Sequence, residues 1–299
     1  MIRFYNRKTR QYETENVAGC SFLKWIYYSN IGMGMLHFFI KRKIASQIYG
    51  LYCNLSISKR MIYDFVEKFN IDMSRFELQK EEYRTFNDFF SRRLNNEKIN
   101  IEKDDNILIS PCDSKVLAYQ NIDKDMLIQV KGMTYSLSNL IKNQEIAKQY
   151  QGGTCLVFRL CPTDYHRFHF IDEGICEKTN FIKGFYYSVN PIALEKIERI
   201  FCENKRQWCI FHSKNFSDVL YVEIGATFVG SIIQTYTPNL KVSRGDEKGY
   251  FKFGGSTVIL FFKKEIIEVD EDIIKQTQKG FETSVFMGER IGIKKNNRG

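Results

Sequence analysis

The stretch Phe253-Gly254-Gly255-Ser256-Thr257-Val258-Ile259-Leu260-Phe261-Phe262 decides how the second half of this chain reads. From Ser256 onward it is an uncharged run of β-branched and aromatic residues, the pattern of a strand, and the two glycines before it make a tight turn. That turn presents the Ser256 hydroxyl beside a Gly255 carbonyl with little side-chain hindrance around it. An ordinary hairpin turn has the same residues, so the segment alone names no reaction. The Gly-x-Ser-x-Gly elbow of the α/β-hydrolases is absent, because Thr257 and Val258 follow the serine.

Similar runs recur earlier, at residues 155–160, 219–224 and 228–236, separated by Gly, Asn, Asp or Pro. Before residue 105 the texture differs. Met61, Ile62, Phe65, Val66 and Phe69 form one helical stripe, and residues 85–94 read as another helix, capped by Thr85 or Asn87. The expected fold is therefore α+β: N-terminal amphipathic helices over residues 1–100, then a β-rich catalytic body over residues 101–299. No fixed-period repeat interrupts this division, and residues 294–299 read as a frayed tail.

Composition narrows the class. With 43% hydrophobic and 26% charged residues over 299 positions, the chain is an ordinary globular one, able to bury roughly 75% of its unfolded surface. Eight cysteines without a C-x-x-C pair exclude a disulfide scaffold and read as reduced, mostly buried thiols. The net charge is +9, and +6 of it lies in the first fifty residues, where eight basic residues face only Glu13 and Glu15. Such asymmetry suits an anionic polymer or membrane, or a solvated basic tail. Residues 3–16 are polar, so a secretory signal is not expected and the protein is expected in the cytoplasm. Residues 25–40 carry no charge but are only sixteen long, short of the roughly 20 needed to span a bilayer. Bracketed by Lys24 and Lys41-Arg42-Lys43, and carrying Trp25, Tyr27, Tyr28, Phe38 and Phe39, they read as an element lying in a membrane surface or as aromatics packed on the domain.

Two of the four histidines lie three residues apart in Asp164-Tyr165-His166-Arg167-Phe168-His169 and share one neighbourhood whether the segment is helix or turn. Imidazole titrates near neutrality, which suits general acid and base work. Zinc is not expected, since no H-E-x-x-H occurs and His37 and His212 sit in unrelated apolar contexts. Asp113, in Ser110-Pro111-Cys112-Asp113, stands in a turn before a β-type run. Asp113, one histidine of the pair and Ser256 thus supply an acid, a base and a nucleophile from three distant segments.

Taken in order, residues 84–94, 110–113, 160–169, 188–191, 203–206, 224–231 and 249–257 resemble the motifs of the phosphatidylserine decarboxylases, pyruvoyl-dependent enzymes of the prokaryotic type. The resemblance runs from about Tyr83 to Ile293, and its D-Y-H-R-x-H and G-S-T segments are the specific ones. Two positions depart from it. Ser114 stands where the family commonly has Gly, and Arg244-Gly-Asp-Glu247 where it usually has Lys-Gly-Glu-Glu.

The resemblance implies a membrane-associated enzyme of phospholipid biosynthesis that converts phosphatidylserine to phosphatidylethanolamine and CO2. It implies self-cleavage between Gly255 and Ser256 into a large chain, 1–255, and a small chain, 256–299. Asp113 would orient His169, which would take the Ser256 proton as the hydroxyl attacks the Gly255 carbonyl. Ser256 would become a covalent pyruvoyl cofactor that forms a Schiff base with the substrate, and His166, with Tyr165 a weaker candidate, would assist decarboxylation or reprotonation. The implied partners are phosphatidylserine, an anionic membrane surface at the cytoplasmic face of the cell membrane, held peripherally or monotopically, and a second copy in a homodimer. No metal and no nucleic acid are implied. A serine hydrolase acting in trans through the same Asp113, His169 and Ser256, and an inactive membrane-binding paralogue, are the competing readings.

Overall fold

The computed structural model describes residues 2–17, 19–41, 43–95, 97, 99–130, 133–227 and 231–295. The architecture is α+β, and three of the four runs read as strands lie side by side at the middle of an eleven-stranded sheet. Ser256–Phe262 is at its centre, antiparallel to Ser217–Gly225 on one side and to Thr154–Leu160 on the other, with Ser114–Gln120 next beyond. Every residue of Ser256–Phe262 is buried, which explains why the run lacks the alternation of a strand with one wet face. Of the run at 228–236 only Ile232–Gln234 is a strand, and residues 228–230 lie outside the described residues. Ile232–Gln234 joins Glu247–Phe251 and Arg167–His169 in a small sheet, so the histidine segment is paired to the strand that leads into the glycine turn.

The helical stripe at 61–69 forms Arg60–Phe69, preceded by a 3-10 turn at Ser56–Lys59. The second helix is shorter than its pattern. Phe86–Phe90 is capped by Thr85, whose Oγ1 accepts from the Asp88 N–H at 3.1 Å. It stops early because Leu94 is drawn into an extended bridge with Phe76, which a helical residue cannot make. The seven cysteines whose side chains are described are free, six of them buried. The tail residues 296–299 lie outside the described residues.

The first residues do more than lead in. Arg3–Asn6 and Gln11–Thr14 form a hairpin, and Arg3–Asn6 pairs parallel with Glu282–Val285 at the sheet's edge. Part of the early basic charge is engaged there. Arg7 bonds Asp272 at 2.7 Å and Asp270 at 2.9 Å, Lys8 sits 4.0 Å from the Phe286 ring centroid, and Arg3 lies over Tyr12. Lys41 turns inward to the Tyr187 hydroxyl, and Arg42 lies outside the described residues. Arg7 is thus neutralised within the fold, while Arg3, Lys8 and Lys41 keep their charge against rings and a hydroxyl.

The segment 20–53 splits the two expectations made for it. It folds as Cys20–Tyr28, Asn30–Met35, a π-helical turn at Leu36–Ile40, and Lys43–Cys53. Ile26, Tyr27 and Leu36 are buried in the same core as the sheets. Phe22, Trp25, Tyr28, Ile31, Phe38, Ile48 and Leu51 are exposed and form an apolar ridge. Among the described residues no helix is long and apolar enough to cross a membrane.

One buried ion cluster ties the two ends of the chain to the middle of the sheet. The Arg159 guanidinium donates to Glu282 at 2.7 Å and to Glu15 at 2.6 Å, all three side chains being largely buried. Arg159→Met strands two carboxylates away from water, so it is expected to cost about 3–5 kcal/mol, read as a lowered urea midpoint at unchanged slope.

Candidate active site

Ser256 opens the central strand, in register with Gly225 on one neighbour and Leu160 on the other, and has no exposed surface. His166 reaches it from the loop between Thr154–Leu160 and Arg167–His169. That loop is braced: the Asp164 carboxylate accepts from the Cys161 N–H at 2.8 Å and holds Lys115 at 2.8 Å, while buried Arg92 donates to the Thr163 and Asp164 carbonyls. Nδ1 of His166 stands 3.4 Å from Ser256 Oγ, and its Nε2 is 2.9 Å from the Cys161 carbonyl. A carbonyl only accepts, so Nε2 is assigned the proton and the Nδ1 lone pair faces the serine. The ring lies flat on Phe90, with centroids 4.0 Å apart. Burial, reinforced by Arg92, pulls its pKa down to about 3, so the ring is neutral at physiological pH.

His169 is the mirror case. Its Nδ1 lies 2.9 Å from the Gly245 carbonyl and its Nε2 3.0 Å from the Tyr165 hydroxyl, so its lone pair is already occupied by a donor. Burial lowers its pKa to about 4; Glu247 and Asp246 favour its cation, and Arg167 opposes it. Asp113 lies in the turn before Ser114–Gln120, as expected, but both its oxygens are engaged elsewhere. One pairs with Arg75 at 2.8 Å and the other accepts from the Met287 N–H at 2.9 Å. Burial pushes its carboxyl upward, and Arg75 pulls it back.

Of the four candidate residues, the structure brings Ser256 and His166 together. His169 and Asp113 stand one layer out: among the described residues no hydrogen bond joins them to each other or to Ser256. Tyr165 links their surroundings, since its hydroxyl meets His169 while its ring packs with Phe76 and Met287 on the Asp113 side.

The two glycines of the turn differ in what the backbone asks of them. A Cβ there would lie 3.6 Å from Val189 Cγ2, an ordinary contact, and its φ is not positive. Gly254 is the constrained residue, with φ of 128°, a backbone state that side chains rarely adopt. The turn is held from outside by Asn87, whose Oδ1 accepts from the Phe253 N–H at 3.1 Å. Gly254 and Gly255 line a cavity of about 390 Å³, closed by Leu23, Ile26, Tyr27 and Leu36 from the N-terminal helices. The front helices therefore roof the bond before Ser256.

Sequence reasoning missed Phe90, Arg92, Lys115, Asp164 and Arg75. Phe90 and Arg92 lie inside the motif at 84–94, where the only role read was a cap; Arg75 lies outside every motif quoted.

Residues 86–293 match the family model described as phosphatidylserine decarboxylase. The chain belongs to that family. Similar relatives are each named "Phosphatidylserine decarboxylase proenzyme". That of Clostridium novyi (strain NT) is 60% identical over 98% of this chain and 100% of its own. That of Clostridium botulinum (strain Hall) is 59% identical over 99% and 100%, and that of Clostridium perfringens (strain SM101) 54% identical over 98% and 100%. The similarity to these decarboxylase proenzymes extends through the hairpin and the roofing helices, beyond the span of the family model.

Proposed function

We propose that the chain is a proenzyme that cuts itself between Gly255 and Ser256, and that the cut form decarboxylates phosphatidylserine to phosphatidylethanolamine. The reading rests on Ser256, a fully buried hydroxyl in the centre of a sheet, next to a neutral imidazole lone pair and directly after a turn that only Gly254 can make. A hydrolase acting in trans needs a serine that its substrate can reach. This one can reach only its own backbone.

Attack of the Ser256 hydroxyl on the Gly255 carbonyl exchanges the amide for an ester. Elimination across Cα and Cβ of residue 256 then releases Gly255 as a carboxylate and leaves a dehydroalanine, which water converts to a pyruvoyl ketone and ammonia. Position 256 suits such a group, because it is enclosed by two strands and faced by an imidazole that carries no charge. A pyruvoyl carbonyl supplies the electron-withdrawing centre that decarboxylation needs. His166, at hydrogen-bond range of position 256, holds or delivers a proton there.

For the proton of Ser256 we keep His169 as the base, with Asp113 in support. Taking that proton creates an imidazolium, which Glu247 and Asp246 favour at His169 and which Arg92 and Lys115 oppose at His166. The His169 ring must first leave the Tyr165 hydroxyl. A second reading, in which His166 takes the proton directly, is favoured by the 3.4 Å approach alone.

The intact mass of the purified protein tests the main reading. Two chains, 1–255 and 256–299, together with CO2 and phosphatidylethanolamine from phosphatidylserine vesicles, are expected. One unbroken chain with esterase activity would overturn it.

The apolar ridge supports attachment to a membrane surface carrying the substrate, peripherally or monotopically. Ile31 and Phe38 are its most exposed members, at 73% and 72%. Replacing both with Asp is expected to lower co-sedimentation with phosphatidylserine vesicles by about tenfold or more while leaving self-cleavage intact. Unchanged sedimentation would remove the ridge from the account. The implied homodimer is tested by light scattering of the cut protein.

A further inference from the structure

A second cavity, of about 430 Å³, adjoins the glycine turn across Phe253, which lines both. Its walls include Ile48 and Leu51 from the helix Lys43–Cys53, with Asn54, Asn87, Ser231 and Lys252, and no acidic residue lines it. The two asparagines are already committed to bracing. Asn87 accepts from the Phe253 N–H and donates to the Gly50 carbonyl and to Asn54. Lys252 is fixed through its backbone, whose N–H donates to the Ser231 carbonyl at 3.1 Å, and is half-buried. Among the described residues no carboxylate pairs with its ammonium, whereas the half-buried Lys115 and the buried Lys248 each have one.

An uncompensated ammonium in a cavity without acids is a site for an anion. We propose that Lys252 and this cavity bind the phosphodiester of the substrate headgroup, an inference that rests on the decarboxylase reading above. The substrate carries two anions, and the chemistry separates them. An ammonium on the carboxylate would stabilise the charge that must be lost as CO2, raising the barrier, whereas one on the phosphate binds substrate and transition state alike. The phosphate lies only a few bonds from the amine that must reach position 256, and Lys252 is four residues before it with Phe253 as the partition. Ile48 and Leu51 are 64% and 66% exposed at the rim, so acyl chains leaving this cavity run directly onto the apolar ridge.

The test uses the cut enzyme and dihexanoyl phosphatidylserine below its micelle concentration, with intact mass checking that each variant has processed. Lys252→Met is expected to raise KM by about tenfold or more with kcat within about threefold, and Lys252→Arg to restore KM. If the methionine variant stays uncut, Lys252→Gln replaces it, with the same expected rise. Inorganic phosphate identifies the source of the anion: competition in the wild type that disappears in the variant means the site takes free phosphate as well, and no competition means it takes phosphate only within the lipid. An unchanged KM, or a loss confined to kcat, would overturn the proposal. A wild-type protein that is uncut or releases no CO2 would instead overturn the decarboxylase reading itself.

Discussion

Ser256→Ala is expected to yield a single chain of 299 residues, with no 256–299 fragment and no phosphatidylethanolamine formed from phosphatidylserine vesicles. Both losses follow from one atom. The hydroxyl is the nucleophile of the cut and the source of the carbonyl at position 256, so its removal ends the sequence at its first step rather than slowing it. Alanine fits the site. Ser256 is a strand residue whose Oγ has, among the described residues, one hydrogen-bond neighbour, His166 at 3.4 Å, so the variant should lose no more than about 1 kcal/mol of stability. An unfolding midpoint near that of the uncut wild type therefore separates lost chemistry from lost fold. If the 256–299 fragment still forms in Ser256→Ala, the nucleophile lies elsewhere and the self-cleavage mechanism fails.

The parts of this fold that could be read in the sequence are those whose physics is local. A strand buried on both faces is dominated by apolar residues, as in Val258–Phe262 and Cys155–Phe158, and the polar Arg159 is kept there by its buried carboxylates. Asp113 before Ser114–Gln120 could be found as an acid in a turn ahead of a strand, and the paired histidines by their spacing, although only His166 meets Ser256. What could not be read depends on residues far apart in sequence. Nothing around Arg75 predicts that it neutralises Asp113, and nothing around Glu15 or Glu282 predicts that both meet Arg159. The early basic residues illustrate the same limit. Their charge was legible, but the partners of Arg7 and Lys8, namely Asp270, Asp272 and Phe286, lie at the other end of the chain and could not be read. At the glycine turn the pair was legible, but which glycine carries the unusual angle was not: a φ of 128° at Gly254 is a property of the path between two strands.

Separate alanine variants of the two histidines are expected to fail at different stages. His169→Ala should remain uncut, with self-cleavage slowed by about 10³ or more, whereas His166→Ala should be cut and yet decarboxylate about 10²–10⁴ times more slowly. The charges around the rings carry the argument. Arg92 and Lys115 face His166, in a site where burial already holds its pKa near 3, so a proton taken from Ser256 would be poorly kept there. His169 has Glu247 and Asp246 beside it to favour an imidazolium, with Arg167 opposing, and its ring must leave Tyr165 to take the proton. The sign of the pH dependence follows. A base whose pKa is lowered stays neutral and competent above about 4, so self-cleavage should be level from about pH 8 to pH 5 and fall as the ring is protonated below that. Intact mass against time for each variant, and CO2 release by whatever has been cut, make the measurement. If His166→Ala stays whole while His169→Ala is cut, the contact seen in the uncut chain is itself the catalytic one, and Asp113 and His169 act on the fold of the loop rather than on the proton.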